Sequence, residues 1–365
     1  MLISIVVPTY NEAQNISSIY EDIAGALQGT SWELIVVDDD SPDGTAEAAR
    51  ALAGQHGNVR CIQRTQERGL CSAVHWGVQA AHGRFIVVMD GDRQHDPNLI
   101  PSMIEELEKG QDIVSGSRFL SGEPVEGLSS DFRQKLSIYG NKLINLFLGT
   151  RLTDPLTGFF ATSRTLFLRS IPRMQAEGYK IFFDLIFHNR KAALKELPFR
   201  FRARTLGDSK IDIYVFWLLS ADMISKLTGG LIPPRLVSFV SVGLIGSTIH
   251  FSALYAWMAF GTEFWAAQAL ATVMAMVFNF TLNNILTYSA DRLRRGAFYK
   301  GLLLYGFIAS FGIVANVSTA QFTYSHFRSH TFLAASVGIV IDVIWRFVVS
   351  NRLIWGHSSV LRKAK

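Results

Sequence analysis

The segment Phe85–Pro97 reads FIVVMDGDRQHDP: five apolar residues run into Asp90 and Asp92, one residue apart. Two carboxylates held this close repel, and each raises the other's pKa unless a cation sits between them. Hard carboxylate oxygens suit Mg2+ or Mn2+, ions that keep waters and bind substrate phosphates. Gln94 offers a further neutral oxygen, so Asp90, Asp92 and Gln94 are the candidate metal ligands. A second acidic run, Asp38-Asp39-Asp40 in VVDDDSPDGT, also ends an apolar stretch. A carboxylate there can accept hydrogen bonds from a nucleobase or a ribose, and VVPTYNE would form the neighbouring wall of that pocket. Arg118 closes another apolar run, QDIVSGSRF. In LPFRFRART, Arg200, Arg202 and Arg204 alternate with Phe199, Phe201 and Ala203, as on the two faces of a strand. The planar guanidinium fork matches phosphate, so these arginines point to a phosphorylated substrate.

Such groups need a scaffold that brings them to one place. LISIVVPTY, WELIVVDDDSPDGT, RFIVVMDGD and QDIVSGSRF read as short buried strands. Helical patterns lie between them, over Ala13–Leu27 and Thr45–Gln55, with Asn15 and Ser41 as caps. Continuous apolar strands alternating with helices predict a mainly parallel sheet covered on both faces. Sheets of that kind bind ligands outside the carboxyl ends of their strands, where the acidic clusters fall. The start, MLISIVVPTYNE, has neither a basic leader nor a small-residue cleavage site and reads as the first strand.

The second part of the chain reads differently. Hydrophobic residues make up 49% of the 365 positions and charged residues only 18%, a scarcity of polar surface that the α/β half does not explain. Leu236–Phe260, Phe264–Tyr288 and Gly301–Tyr324 contain no Asp, Glu, Lys or Arg, and Thr331–Trp355 contains only Asp342, Arg346 and Arg352. Each run is long enough to cross a hydrocarbon core of roughly 30 Å. Arg292, Arg294, Arg295 and Lys300 lie in one connection, Arg235 precedes the first run, and Arg362, Lys363 and Lys365 follow the last. The opposite connections hold one basic residue, Arg328, so both termini and the α/β half are expected in the cytoplasm. The net charge of +5 beside apolar spans favours a bilayer partner, and the lack of a dense basic run argues against nucleic acid. Cys61 and Cys71 form no disulfide or zinc pattern. The segment IDIYVFWLLSADMISKLTGGLIPPR is expected to lie on the membrane surface as an amphipathic helix, ended by Gly229-Gly230 and Pro233-Pro234. The spans also repeat: set 67 positions apart, FNFTLNNILTY and WRFVVSNRLIW share Phe280/Phe347, Asn284/Asn351 and Leu286/Leu353. The expected organisation is a catalytic domain over 1–210, an interfacial helix over 211–232 and a four-span membrane domain over 233–365.

Taken together, VVPTYNE, VVDDDSPDGT, GLCSAVHWG, MDGDRQHDP and GSRF resemble the inverting family 2 glycosyltransferases, most of all the dolichol-phosphate mannose synthases and related polyprenyl-phosphate glycosyltransferases. TDPLTGFFA, EGYKIFFDLIF and RTLGDSKI extend the likeness through the catalytic half, and the four spans resemble the GtrA-like membrane module. The resemblance implies a GT-A fold, Rossmann-like, followed by an all-α transmembrane domain. It implies that Pro8, Tyr10, Glu12 and Asp39 hold the nucleotide and that Asp90, Asp92 and Gln94 hold the metal and diphosphate. It implies that Lys180, Asp184 and Lys210 contact the nucleotide sugar, and that Arg118, Arg133, Ser137 and Arg204 bind the lipid phosphate. Asp154 stands where such enzymes keep a carboxylate near the reaction centre, and its implied role is positioning. Asp40 stands where Asn or Gly is common, and Cys71 replaces a usual Gly or Ser.

The expected reaction is transfer of mannose from GDP-mannose to a dolichyl or polyprenyl phosphate, with Mg2+ or Mn2+, catalysed chiefly by Asp92, Asp154 and Arg118. UDP-glucose is the second candidate donor. A third reading adds outward flipping of the product by the spans, where Asp342 and Arg346, four apart, can pair on one helix face. A processive polysaccharide synthase would be expected to carry a QxxRW motif, and the sequence has none.

Overall fold

The computed structural model describes residues 2–120, 131–174, 180–199, 213–289, 291–327 and 331–356. Its contacts divide the chain into two units, Met1–Asp212 and Ile213–Lys365.

In the first unit, β1 (Ile3–Thr9), β2 (Trp32–Asp38), β3 (Val59–Gln63) and β4 (Phe85–Val88) run parallel in the spatial order β3-β2-β1-β4. β5 (Ile113–Ser117), β6 (Phe160–Ser163) and β7 (Leu194–Pro198) complete the sheet. β6 lies antiparallel between β4 and β5, and β7 pairs parallel with β5 at the edge. Every residue of β1 and β2 is buried, as uninterrupted apolar runs require of strands covered on both faces. Ile3, Ile5, Val7, Leu34, Val36 and Val87 pack on one face against α1 (Ile16–Ala26) and α4 (Ile100–Glu108). On the other face α3 (Leu70–Ala80) comes so close to Val6 and Val37 that only Gly77 fits at the contact. α2 (Thr45–Gln55), α5 (Asp131–Leu148), α6 (Arg164–Ser170) and α7 (Ile181–His188) complete this unit's helices among the described residues.

Two features of the sheet make a site. β4 pairs with β1 only as far as Val6, whereas β2 follows β1 to Thr9. The sheet therefore opens beyond Val6, and Pro8, which has no N–H to donate, lies where pairing towards β4 has ended. This crevice lies where successive connections leave in opposite directions, the usual place for a ligand in an open α/β sheet. The reversed β6 then starts beside the end of β4, with Phe160 opposite Val88 and Ser115. The segment leading into β6 is thus delivered to the same carboxyl edge.

Some local expectations change. Ser41 does not cap α2; the cap position is Gly44, at φ 89°, and the Ser41 hydroxyl donates to Asp38 Oδ1 at 2.5 Å. Asn15 occupies the cap position of a shorter α1 but makes no capping hydrogen bond through its side chain. β3 and β6 were not legible in the sequence. β7 ends at Pro198; residues 200–212, with Arg200, Arg202, Arg204 and Lys210, on which the expected alternation of arginines falls, lie outside the described residues.

The second unit is helical: α8 (Ile213–Leu227), α9 (Pro234–Ala259), α10 (Phe264–Leu282), α11 (Gly296–Phe327) and α12 (Thr331–Ser350). Among the described residues, Pro234–Ala259 and Phe264–Thr287 are long and apolar enough to cross a membrane. α9 packs on α10, and α11 on α12. Each pair ends in a π turn, Asn283–Thr287 and Asn351–Trp355, at the two places where the sequence repeats. Asp342 and Arg346 pair at 2.7 Å on α12, and the absence of a side chain at Gly312 on α11 makes room for them. The two charges thus offset each other within one helix.

Candidate active site

Asp90 and Asp92 follow β4, and Gln94 donates its backbone N–H to Asp92 Oδ1 at 3.1 Å, tightening the turn. Gly91 brings that turn against the end of β1; a Cβ there would stand 3.0 Å from Thr9 Cγ2 and 3.4 Å from the Pro8 carbonyl. Arg93, at φ 63°, turns outward and pairs with Asp22 at 3.0 Å. His95 lies beneath the acidic pair, 3% exposed, stacked on Phe159 with ring centres 5.0 Å apart. Its Nδ1 accepts the Asp90 N–H at 3.0 Å, and burial pushes its pKa down, so the neutral ring serves as an acceptor under the turn.

The segment before β6 backs Asp90. A Cβ on Gly158 would stand 2.8 Å from Asp90 Oδ2, so the carboxylate occupies space that only glycine leaves. Asp154, fully buried, faces Arg118 at the end of β5: Nε reaches Oδ2 at 2.7 Å and Nη2 reaches Oδ1 at 2.9 Å. Burial alone would weaken the Arg118 charge, but the Asp154 carboxylate outweighs it and keeps the guanidinium firmly protonated. Glu196 on β7 accepts the Thr153 and Asp154 N–H groups at 2.7 and 2.9 Å and anchors this segment. Lys180, just before α7, has its pKa pushed down by burial first and by the Arg118 charge second, while Asp90 and Asp154 oppose the shift. Asp184 is buried one turn into α7, with His188 Nε2 3.4 Å away. Asp90, Arg118, Asp154 and Lys180 therefore form one mixed-charge cluster.

On the other side of the crevice, Tyr10 is 47% exposed, with the Arg68 guanidinium 5.3 Å from its ring centre. The backbone N–H groups of Asn11, Glu12 and Ala13 donate to Ser41 Oγ, Thr45 Oγ1 and Asp43 Oδ2 at 2.9, 2.9 and 3.1 Å. SPDGT is thus chiefly a brace for the YNE loop. The Glu12 carboxylate accepts from Asn15 Nδ2 at 2.6 Å. Asp39 is held more tightly than its sequence position suggested. Its Oδ1 pairs with the buried Arg64 through both Nε and Nη2, and its Oδ2 accepts the Gly69 N–H at 2.7 Å. Arg64 Nη1 also donates to Ser72 at 2.7 Å. Sequence reasoning missed Arg64, Gly69, His95, Gly158 and Glu196 as parts of the site. The only available signal for Arg64 was its place after the unrecognised β3. Arg133 and Ser137 fall on α5, but their side chains lie outside the described residues, as do Arg204 and Lys210.

The donor set fits a hard divalent cation in kind: two carboxylates and an amide on one short turn, backed by Gly158. Among the described residues no group of three or more His, Cys, Asp or Glu side chains could hold a metal ion, so Gln94 and substrate oxygens would have to complete the shell.

Residues 4–171 match the family profile described as Glycosyl transferase family 2, and residues 238–355 match the GtrA/DPMS transmembrane domain. A dolichol-phosphate mannosyltransferase from Pyrococcus furiosus is 33% identical over 97% of this chain and 99% of its own. A dolichol-phosphate mannosyltransferase from Saccharomyces cerevisiae is 34% identical over 57% of this chain and 80% of its own. Among solved structures, glucosyl-3-phosphoglycerate synthase from Mycobacterium tuberculosis, in complex with Mn2+, UDP and phosphoglyceric acid, is 23% identical. It covers 63% of this chain and 78% of that one, with a TM-score of 0.48. The chain is a membrane glycosyltransferase that belongs to family 2, of the dolichol-phosphate mannosyltransferase type, with the GtrA/DPMS transmembrane domain of that group.

Proposed function

We propose that this protein transfers mannose from GDP-mannose to a dolichyl or related polyprenyl phosphate at the cytoplasmic face of a membrane, with inversion at the anomeric carbon. The observation that carries the reading is the Asp90/Asp92 turn, set in the β1/β4 crevice beside Lys180 and the Arg118–Asp154 pair. Acids for a cation and cations for phosphate stand there side by side. The choice of mannose and of a dolichol-type acceptor is supported by the likeness to the dolichol-phosphate mannosyltransferases, and UDP-glucose is the donor to test against it.

In this mechanism the nucleoside sits between the YNE loop and the Asp39–Arg64 clamp, with Tyr10 at its mouth. Asp90, Asp92 and Gln94 would hold Mg2+ or Mn2+, which when bound offsets charge on the diphosphate. Lys180 adds a second positive charge on the same side. The acceptor phosphate oxygen forms the new bond to the anomeric carbon as the bond to the diphosphate breaks on the opposite face. No strong base is required, because a phosphate monoester is largely ionised near neutral pH, with a second pKa of about 6. Asp154 holds Arg118, and Arg118 orients the acceptor phosphate together with Arg133, Ser137 and Arg204. The four spans keep the acceptor chain in the bilayer, with the connection that carries Arg292, Arg294 and Arg295 at the cytoplasmic face.

The test is purified full-length protein with labelled GDP-mannose, UDP-glucose and other nucleotide sugars, a polyprenyl phosphate, and Mg2+, Mn2+ or EDTA. A lipid-linked mannose formed only with metal, and lost in Asp92→Ala, is the expected result. Lipid-linked glucose from UDP-glucose alone would move the assignment to the second donor. No lipid-linked product from any donor would sink the reading.

A further inference from the structure

In the second unit, the connection between α10 and α11 does more than carry charge. Arg292, Arg294 and Arg295 line a cavity of about 370 Å³. Among the described residues, no hydrogen bond or ion pair engages these three guanidiniums. Asp291, the acid next to Arg292 in the chain, faces Arg235 at 3.8 Å. Three unpaired like charges around one cavity repel, and an anion with several oxygens would relieve that repulsion.

The cavity is held open by a built frame. Asn284 accepts the Leu293 N–H at 2.8 Å and donates to the Leu293 carbonyl at 3.1 Å. Trp355 Nε1 donates to the same Asn284 Oδ1 at 3.0 Å, with the Trp355 ring stacked on Tyr288, centres 4.1 Å apart. Leu293, between the arginines, is therefore fixed through both of its backbone groups.

The cavity is not wholly polar. Thr281, Ile285 and Phe298 form part of its wall. Thr281 also lines a second, apolar groove of about 470 Å³, with Ile249 of α9 and Val273 and Val277 of α10. Val273, Val277 and Thr281 are each four residues apart on α10, and Ile285 follows in the π turn after it, so one wall runs from groove to cavity through the shared Thr281. A cationic cavity that shares a wall with an apolar groove has the two-part chemistry of an amphiphile.

We propose that this is a binding site for an anionic glycerophospholipid of the surrounding bilayer, its phosphate among Arg292, Arg294 and Arg295 and a chain along the Val273–Ile285 wall. A phosphodiester with a glycerol backbone suits a cavity larger than a lone phosphate needs. The site is built wholly from the helical unit and does not rest on the assigned sugar transfer.

The experiment uses the full chain, purified in detergent and stripped of lipid. Retention of phosphatidylglycerol, phosphatidylcholine, a polyprenyl phosphate and inorganic phosphate is measured by native mass spectrometry, with melting followed in parallel. Phosphatidylglycerol should be retained at one saturable site and raise the melting temperature, while phosphatidylcholine and inorganic phosphate should do neither. Arg292→Ala, Arg294→Ala and Arg295→Ala should each weaken retention about fivefold. Lys300→Ala, which removes a charge from the same stretch without lining the cavity, should leave retention unchanged. Val277→Trp, which fills the groove, should weaken it while all three arginines remain. Equal weakening by Lys300→Ala, or undiminished retention in all three arginine variants, would overturn the proposal in favour of diffuse charge. Retention of inorganic phosphate alone, or of polyprenyl phosphate but not phosphatidylglycerol, would overturn the phospholipid assignment.

Discussion

Arg118 and Asp154 meet through two parallel hydrogen bonds, 2.7 and 2.9 Å, although 36 residues separate them in the chain. Asp154 is buried completely, and the Arg118 side chain is 18% exposed. The carboxylate thus takes two of the five guanidinium N–H groups and aims the remainder. In Asp154→Ala the buried Arg118 charge loses this carboxylate and both hydrogen bonds to it, a change that costs about 3 kcal/mol or more. For a domain of this size that lowers the melting temperature by roughly 6–12 °C. Asp154→Asn keeps the shape and should melt closer to the parent while losing turnover. Arg118→Lys supplies charge without the fork and should restore only part of the rate of Arg118→Ala. Turnover at the parental level in Arg118→Lys would show that fork geometry is immaterial.

Gly158→Ala places a methyl group 2.8 Å from Asp90 Oδ2. The Asp90 side chain, 40% exposed, can swing away and relieve the clash. Melting should therefore change by less than the roughly 1–3 kcal/mol of an overpacked core. Transfer should fall about tenfold or more, with a raised metal requirement, because a carboxylate misplaced by even ~1 Å loses its catalytic geometry. A metal titration of turnover checks this; a curve identical to the parent's would separate Asp90 from the metal site.

Arg64→Met removes the cation that holds Asp39 and frees the turn at Gly69. The Asp39 carboxylate, 8% exposed, would then have only the Gly69 N–H among its observed direct partners. GDP affinity, measured by calorimetry, should weaken about tenfold or more, as loss of a charge-assisted hydrogen bond costs roughly 1.5–3 kcal/mol. Arg64→Lys should recover part of it. Unchanged affinity would place the clamp outside the donor pocket.

Glu33 makes a pH-dependent contribution at the opposite edge of the sheet. Burial alone would raise its pKa, but the Ser4 hydroxyl at 2.6 Å, the His82 N–H at 2.7 Å and Arg60 together hold it below the usual carboxylate range. A carboxylate depressed on folding stabilises the fold above its unfolded pKa, near 4.3, and loses that contribution as pH falls through the folded value. The Glu33→Gln protein should therefore melt below the parent at pH 7, with the gap closing as pH drops below about 4. A gap independent of pH would assign the effect to packing alone.

The sequence by itself determined much of the plan. Short, mostly apolar runs bounded by turn residues favour buried strands, so ISIVVPT, WELIVVD and FIVV were readable, as was the place of Asp90-Gly91-Asp92 beyond the last. Helices long and apolar enough to span a membrane were equally plain from α9 and α10, because a bilayer imposes its length on the composition. The repeat at Asn284 and Asn351 showed as a few shared residues before it showed as two π turns.

Tertiary structure alone decided which residues meet. β6 is a short strand, FATS, with no periodic signature, yet its reversal carries Gly158 to Asp90 and Asp154 to Arg118. The pairing of Asp39 with Arg64 left no trace in local sequence, because Arg64 arrives from just beyond the end of β3. His95 could be quoted from its motif, but its role as a buried acceptor depends on Phe159, 64 positions further along the chain. Strand and span follow from local burial pattern, whereas a site made of charges depends on partners supplied by distant segments, and those are specified only when the sheet order is complete.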